Sequence, residues 1–149
     1  MADNVSQLKI RRARPADAAQ IAVLAGQLGY PTSLREMRAR LRSALSQTTG
    51  ACFVAETNGN NVVGWIHVSV TPLLEVERRA EVNGLVVDET VRSRGAGAKL
   101  LEAAEQWARK MKCLGMSVRS NVLRERAHGF YLRQGYEHYK TQKAFRKSL

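Results

Sequence analysis

The chain has 149 residues, of which 44% are hydrophobic and 25% are charged, and its formal net charge at pH 7 is +11. This length and apolar content are those of one globular domain with its own core, so we expect a single domain over residues 1–149. No apolar run is long enough to cross a bilayer, and the polar first residues do not resemble a secretory signal, which argues against a membrane protein.

The two cysteines and the positive charge narrow the class of protein further. Cys52 and Cys113 lie in apolar stretches, without a C-x-x-C or zinc-binding spacing. We therefore expect reduced thiols, a cytoplasmic location and no metal site. The charge indicates an anionic partner or a basic surface. Because the basic residues are scattered and form no recognition motif, we expect no nucleic-acid partner and assign part of the charge to a phosphate-bearing ligand.

The first part of the chain predicts one strand and two helices. Leu8 to Arg12 alternates in polarity as a half-buried strand does. Pro15 and Asp17 are typical of the first turn of a helix, and Gly29 is typical of its end. The capping box Ser33-Leu34-Arg35-Glu36 predicts the start of the second helix.

The middle of the chain predicts two strands joined as a hairpin. Ala51 to Ala55 is the first strand, Asn58-Gly59 is the turn, and Val62 to Val70 is the returning strand. His67 lies on one face of that strand and is a candidate base. A histidine that is hydrogen-bonded on the face of a sheet is the interpretation we favour.

The strand from Ala80 to Val87 contains Gly84, and a glycine inside a strand indicates a bulge or a close backbone approach. A bulge would separate this strand from its neighbour. The N–H groups of Leu85, Val86 and Val87 would then be free to pair with a ligand that carries amides.

A basic turn with two glycines follows that strand and leads into a helix that we expect to end near Lys112. Gly95 and Gly97 let the backbone come close to a ligand, and the helix start directs unpaired N–H groups toward it. Arg92 and Arg94 add positive charge. The stretch therefore predicts a site for a phosphate or pyrophosphate.

The last part predicts a strand, a helix and a second strand. Gly115 to Ser120 is the first strand, Arg124 to Gln134 is the helix, and Gly135 ends it. Tyr136 to Lys147 is predicted as the final strand.

Two separate segments together carry a family resemblance. Arg92-x-x-Gly95-x-Gly97 resembles the Q/R-x-x-G-x-G/A pyrophosphate loop of the GCN5-related N-acetyltransferases, the GNAT family. The dinucleotide and Walker patterns both fail at Leu100. Further residues fit the family's N…A…FY…GF segment at the usual separation: Asn121, Ala127, Phe130, Tyr131, Gly135 and Tyr136.

The resemblance implies an α/β (α+β) GNAT fold. Its sheet is mixed and mostly antiparallel, has about six to seven strands, and is flanked by about four helices. The sheet is split into a V at two parallel strands, here 80–88 and 115–120. Acetyl-CoA would lie in the V, in contact with Leu85, Val86, Val87, Arg92, Ser93, Arg94, Gly95, Ala96, Gly97, Ala98 and Asn121.

The resemblance also implies an acetyl-CoA-dependent N-acetyltransferase that transfers an acetyl group to the primary amine of a small molecule, by direct attack in a ternary complex. Glu81 is the candidate base, directly or through water, and Tyr131 is the candidate proton donor to the leaving thiolate. A strand-end charge paired with Arg78 or Arg79 is the alternative for Glu81. Tyr30, between the first two helices, is the candidate acceptor contact, or else a packed aromatic residue.

Two other activities stay open at this point. One is acetylation of a protein N-terminus or lysine, and the other is a non-catalytic CoA-binding regulatory module. The segment from Asn121 to Glu137 resembles small-molecule members of the family such as aminoalkylphosphonate or aminoglycoside N-acetyltransferases. A homodimer is usual among proteins that resemble this chain.

Overall fold

The computed structural model describes residues 8–92 and 94–149. The chain forms two compact units, Met1–Val118 and Arg119–Leu149. Each unit is described by itself, and a single domain over the whole chain stays a prediction.

The first unit contains one sheet and three helices. Its sheet has the order β1-β2-β3-β4-β5, in which the first four strands are antiparallel and β5 is parallel to β4. The elements in chain order are β1 (Lys9–Arg12), α1 (Ala18–Leu28), α2 (Leu34–Leu45), β2 (Gly50–Thr57), β3 (Asn61–Val70), β4 (Arg79–Val87), α3 (Ala96–Lys110) and β5 (Gly115–Val118).

Local signals explain where α1 and α2 begin and end. Gly29 closes α1 in the left-handed region with φ 102°, a conformation that glycine adopts at little cost. The N–H of Glu36 donates to Ser33 Oγ at 3.1 Å, and the Ser33 N–H donates to the Glu36 carboxylate at 3.2 Å. The predicted capping box is therefore confirmed.

The expected irregularity near Gly84 is confirmed as a bulge. His67 pairs with Gly84 and Val68 pairs with Val82, so Asn83 is the extra residue of β4. A Cβ at Gly84 would lie 2.8 Å from the Trp65 ring. Both effects of a strand glycine, a bulge and a close approach, thus occur at this point.

The sheet is covered on both faces. On one face, α1 and α2 pack their apolar side chains against Cys52, Val54 and Val86. On the other face, α3 packs against β2, β3 and β4, and its Leu100 lies 3.1 Å from the position of a Cβ at Gly64. Neighbouring residues of β3 therefore face different helices.

The second unit contains α4 (Glu125–Arg133) and no strand among its residues. The predicted final strand, Tyr136 to Lys147, is therefore wrong, and the described sheet has five strands where about six to seven were expected. A strand needs a hydrogen-bonded neighbour as well as β-forming residues. Tyr139 and Phe145 are 65% and 90% exposed, so the apolar side chains of this segment are not buried on a sheet.

None of the helices within residues 8–92 and 94–149 has both the length and the apolar character needed to cross a bilayer.

Candidate functional site

The start of α3 offers backbone donors that no described side chain caps. Gly95 is the N-cap, with φ 88°, and no side chain caps the helix. The first helical hydrogen bond runs from the Lys99 N–H to the Gly95 carbonyl, at 3.1 Å. The N–H groups of Ala96, Gly97 and Ala98 consequently have no acceptor within the helix. Among the described residues other than its chain neighbours, no atom lies within 4 Å of the position of a Cβ at Gly95.

The turn between β4 and α3 is held by hydrogen bonds within itself. The Thr90 N–H and hydroxyl both donate to Asp88 Oδ1, at 2.9 and 2.8 Å, and chiefly the backbone bond lowers the pKa of that carboxyl. Arg92 Nε donates to the Val87 carbonyl at 3.2 Å, and its terminal nitrogens have no hydrogen bond to any residue that the structure describes. Arg94 is exposed, and Ser93 lies outside the described residues.

One edge of β4 is unpaired over its second half. β5 pairs with β4 only from Arg79 to Val82, and no other described strand pairs with β4 beyond that point on this side. The Asp88 N–H donates to the Val63 carbonyl of β3 at 2.7 Å. Because N–H groups alternate in direction along a strand, those of Leu85 and Val87 point away from β3 and that of Val86 points toward it. We call residues 83–87 the open edge of β4.

Glu81 lies on the face of the sheet that α1 and α2 cover. It pairs with Ser69 of β3 and Ser117 of β5, and it is half-buried. Arg78 Nε donates to the Met111 carbonyl at 2.8 Å, and Arg79 forms an ion pair with Glu77 at 2.9 Å. Each arginine of the alternative interpretation thus has a contact of its own, Glu81 also has an interaction, and both roles of Glu81 stay predictions.

A cavity of about 350 Å³ lies on this same face, between α2 and the adjoining ends of β2 and β3. We call it the α2 cavity. Sequence reasoning missed it because its walls are far apart in the chain, although the arginines along α2 were a signal. Its lining residues are Arg40, Ser43, Ala44, Gln47, Thr49, Gly50, His67 and Ser69.

His67 is half-buried in the wall of the α2 cavity. Burial lowers the pKa of its imidazole below the ordinary value. Within the described part of the chain, no hydrogen bond to this imidazole is found, and the interpretation of a histidine hydrogen-bonded on the sheet face stays a prediction. Tyr30 is 68% exposed and does not line the cavity.

The second unit holds Asn121 and Tyr131. The Asn121 side-chain carbonyl accepts from the Leu123 N–H at 2.9 Å, which leaves its amide nitrogen for another partner. Tyr131 is half-buried, with its ring centroid 5.2 Å from that of Phe130 and 5.8 Å from that of Tyr136. Burial raises the pKa of Tyr131 to about 12, so its hydroxyl keeps its proton at neutral pH.

Two other chemistries find little support in the described residues. Burial raises the pKa of the Cys52 thiol to about 12, which removes it as a nucleophile at neutral pH. Within residues 8–92 and 94–149, no three His, Cys, Asp or Glu side chains are arranged to hold a metal ion.

Comparisons with known proteins show the family of this chain. The model of the acetyltransferase (GNAT) family matches residues 19–136. The uncharacterized N-acetyltransferase YhfO of Bacillus subtilis (strain 168) is 30% identical over 135 residues, which cover 87% of this chain and 90% of that protein.

Two solved structures share the fold at low sequence identity. Aminoglycoside N-acetyltransferase AAC(6')-Iy, in complex with CoA, has a TM-score of 0.85 and 18% identity, with 95% of each chain covered. Aminoglycoside 6'-N-acetyltransferase AAC(6')-Ih from Acinetobacter baumannii has a TM-score of 0.84 and 16% identity, with 95% of this chain and 99% of that chain covered. The mixed sheet, in which β4 and β5 are parallel, is thus the GNAT fold. The chain belongs to the GNAT family of N-acetyltransferases.

Proposed function

We propose that this chain transfers the acetyl group of acetyl-CoA to the primary amine of a small molecule, by direct attack in a ternary complex. The observation that carries the proposal is the placement of two sets of unpaired backbone donors on one continuous segment. The open edge of β4 and the uncapped start of α3 are joined by the turn that contains Arg92.

The residues of this segment fit the donor acetyl-CoA. The N–H groups of Ala96, Gly97 and Ala98 suit a pyrophosphate, since a helix start favours negative charge. Arg92 and Arg94 would add charge beside it. The outward N–H of Val87 suits an amide of a pantetheine arm, and that of Leu85 suits the carbonyl of the acetyl group. Ser93 and Asn121 stay proposed contacts on the family pattern.

The α2 cavity fits the acceptor side. Its volume of about 350 Å³ lies at the small end of the range for small-molecule sites. It adjoins Glu81, because Glu81 pairs directly with the lining residue Ser69. A small amine in the cavity would therefore lie on the same face of the sheet as a carboxylate that can take its proton.

The chemistry asks three things of the protein. An alkyl amine has a pKa near ~10, so a proton must leave before the nitrogen attacks, and Glu81 is a group that can accept it, directly or through water. The outward N–H of Leu85 is suited to stabilise the oxyanion. Tyr131 is the proposed proton donor to the leaving thiolate, and its raised pKa keeps it protonated.

Calorimetry with acetyl-CoA tests the donor site. We expect binding to the unaltered chain and none to Gly97→Trp, because the indole would fill the approach to the α3 start. Gly26→Trp is the matched control, since Gly26 is exposed and a Cβ there meets nothing within 4 Å. Equal binding by Gly97→Trp and the control would exclude the proposed donor site.

Release of free thiol separates the remaining activities. With acetyl-CoA bound, turnover with small amines supports the proposal, whereas turnover with peptides alone would favour a protein acetyltransferase. Binding without turnover on either panel would indicate a regulatory module.

A further inference from the structure

We propose that the α2 cavity selects acceptor amines that also carry an anionic group, which Arg40 binds, and that His67 accepts the proton of the amine in place of the candidate base Glu81. The proposal rests on the function proposed above and extends it to the class of acceptor. It assigns roles to two residues that neither the motif nor the family match identifies.

The chemistry of the cavity wall favours an anion. Arg40 contributes a positive charge, and no Asp or Glu is among the described residues that line the cavity. Ser69 Oγ accepts from Asn83 Nδ2 at 2.8 Å, so its own hydrogen is available to donate. A phosphate or carboxylate would meet a cation and hydroxyl donors here. A polycationic acceptor would meet repulsion from Arg40, and the adjoining Glu81 is not among the residues that line the cavity.

The position of His67 places the amine near the open edge of β4. His67 pairs directly with Gly84, and the Cα atoms of such antiparallel partners lie about 5 Å apart. Leu85, whose outward N–H is the proposed oxyanion donor, is the next residue of β4. Arg40 lies on the α2 wall of the cavity and His67 on the sheet wall. The acceptor would thus be held by its anionic end at α2, with its amine directed to β4.

His67 is in the protonation state that a base requires. Burial lowers the pKa of its imidazole, so the ring is neutral at pH 7 and can accept a proton. Three titratable or charged groups lie on the elements around His67. They are Arg40 on α2, Cys52, which pairs with His67 from β2, and Glu81 on β4.

The proposed step balances in atoms and charge. His67 takes one proton from the ammonium group and passes it to solvent. The neutral nitrogen then forms a C–N bond to the acetyl carbon as the C–S bond breaks, and a second N–H proton ends on the thiolate. The products are the amide, the thiol and one released proton.

Matched acceptors test the role of Arg40. We expect 2-aminoethyl phosphate and β-alanine to be acetylated with a kcat/KM at least tenfold above that of ethanolamine and propylamine. Arg40→Ala should raise KM for the anionic pair by tenfold or more and leave KM for the neutral pair unchanged. Arg38→Ala is the matched control, because Arg38 lies on the same helix and does not line the cavity.

The pH profile tests the role of His67. His67→Gln should lower kcat by about 100-fold, within the usual range for a lost general base, and should remove the acid limb of the kcat profile. Acetyl-CoA affinity by calorimetry should not change. Glu81→Gln is the comparison, since loss of the acid limb only in that variant would assign the proton to Glu81 and overturn this part.

The possible failures are distinguishable. Absence of acetyl-CoA binding would contradict the proposed function itself. Binding and turnover with no preference for anionic amines, or an equal loss in Arg40→Ala and Arg38→Ala, would overturn only the present inference. An aminoglycoside used in preference to both anionic amines would overturn it as well.

Discussion

Asp17 is a carboxylate that is only 4% exposed, at the start of α1. Both of its oxygens accept from the Arg11 guanidinium, at 2.9 and 2.8 Å, and Oδ2 also accepts from the Arg14 N–H at 2.7 Å. Arg11 Nε reaches Glu56 of β2 at 2.9 Å. This network ties β1, the first helix and β2 together.

Removal of the Asp17 carboxylate should be costly. Asp17→Ala leaves the half-buried Arg11 guanidinium with one partner fewer, and we expect a loss of about 3 kcal/mol in the free energy of unfolding, measured in urea. Glu77→Ala is the control, because it breaks the exposed ion pair with Arg79 and should leave the midpoint unchanged. Similar losses in the two variants would contradict the importance of the network.

The same network predicts how stability depends on pH. Burial raises the pKa of Asp17, but the hydrogen bonds from Arg11 and Arg14 outweigh it, so the pKa lies below the ordinary value. A carboxyl with a lowered folded pKa stabilises the protein above its unfolded pKa of about 4, and this contribution is lost as pH falls through the folded pKa. Urea midpoints of Asp17→Asn should consequently fall less in acid than those of the unaltered chain.

Sequence reading recognised Asp17 only as a helix-start acid. The second partner of Arg11, Glu56, is 45 residues away from it, and no local pattern joins a strand residue to a distant strand. The burial of Asp17, which makes it important, is a property of tertiary packing.

At the scale of elements, Gly84 couples β4 to α1 through Trp65. A Cβ at Gly84 would lie 2.8 Å from Trp65 Cζ3, while Trp65 Nε1 donates to the Ile21 carbonyl of α1 at 3.2 Å. The indole is therefore held from both sides, and its displacement would affect the α1 contact.

We expect Gly84→Ala to destabilise the chain by about 1–3 kcal/mol, since overpacking forces the indole from its position. Thermal or urea unfolding measures this directly. Gly26→Ala is the control and should increase the stability, because a Cβ at this helical position meets nothing within 4 Å and alanine favours a helix. A neutral Gly84→Ala would show that Trp65 can move freely.

The start of α3 depends on Gly95 for a different reason. Its surroundings are open, but its φ of 88° lies in the left-handed region that side chains rarely adopt. Gly95→Ala should cost about 1–2 kcal/mol in stability and weaken acetyl-CoA binding, because the first turn of α3 would shift. Calorimetry and urea unfolding on one sample check both effects, and an unchanged affinity would separate Gly95 from the donor site.

The elements that sequence predicts best are those with their own end signals. The capping box at Ser33, the turn at Gly59 and the glycine at Gly29 fix boundaries locally, and each occurs as expected. The predicted strand after Gly135 rested on composition alone. Whether such a segment joins a sheet depends on a partner edge, which its own residues do not encode.

At the scale of the whole molecule, the net charge of +11 should strengthen the binding of acetyl-CoA. CoA carries several phosphate charges, so acetyl-CoA should bind more weakly as salt screens the basic residues. We expect Kd to rise at least several-fold between 50 and 500 mM NaCl. S-acetylpantetheine, which lacks those phosphates, is the control and should show little salt dependence. An equal dependence of Kd on NaCl concentration for the two ligands would show that the basic residues do not act on the phosphates of the donor.

The two halves of the candidate site differ in how well they can be predicted from the sequence. The donor half follows from residues 92–98, whose spacing is a local consequence of one turn and one helix start. The acceptor half is assembled from α2, β2 and β3. Arg40 and His67 are 27 positions apart in the numbering, and only the folded sheet brings them to the same cavity.

The alternation along the open edge of β4 has a consequence for hydrogen exchange. The Val86 amide is bonded within the ladder, whereas the amides of Leu85 and Val87 point to the unpaired side. In the free protein we expect slow exchange at Val86 and fast exchange at its two neighbours. Acetyl-CoA should then protect the two fast amides selectively. The strand would thus report donor binding residue by residue, without any acceptor or turnover, and uniform protection across the three amides would contradict this geometry.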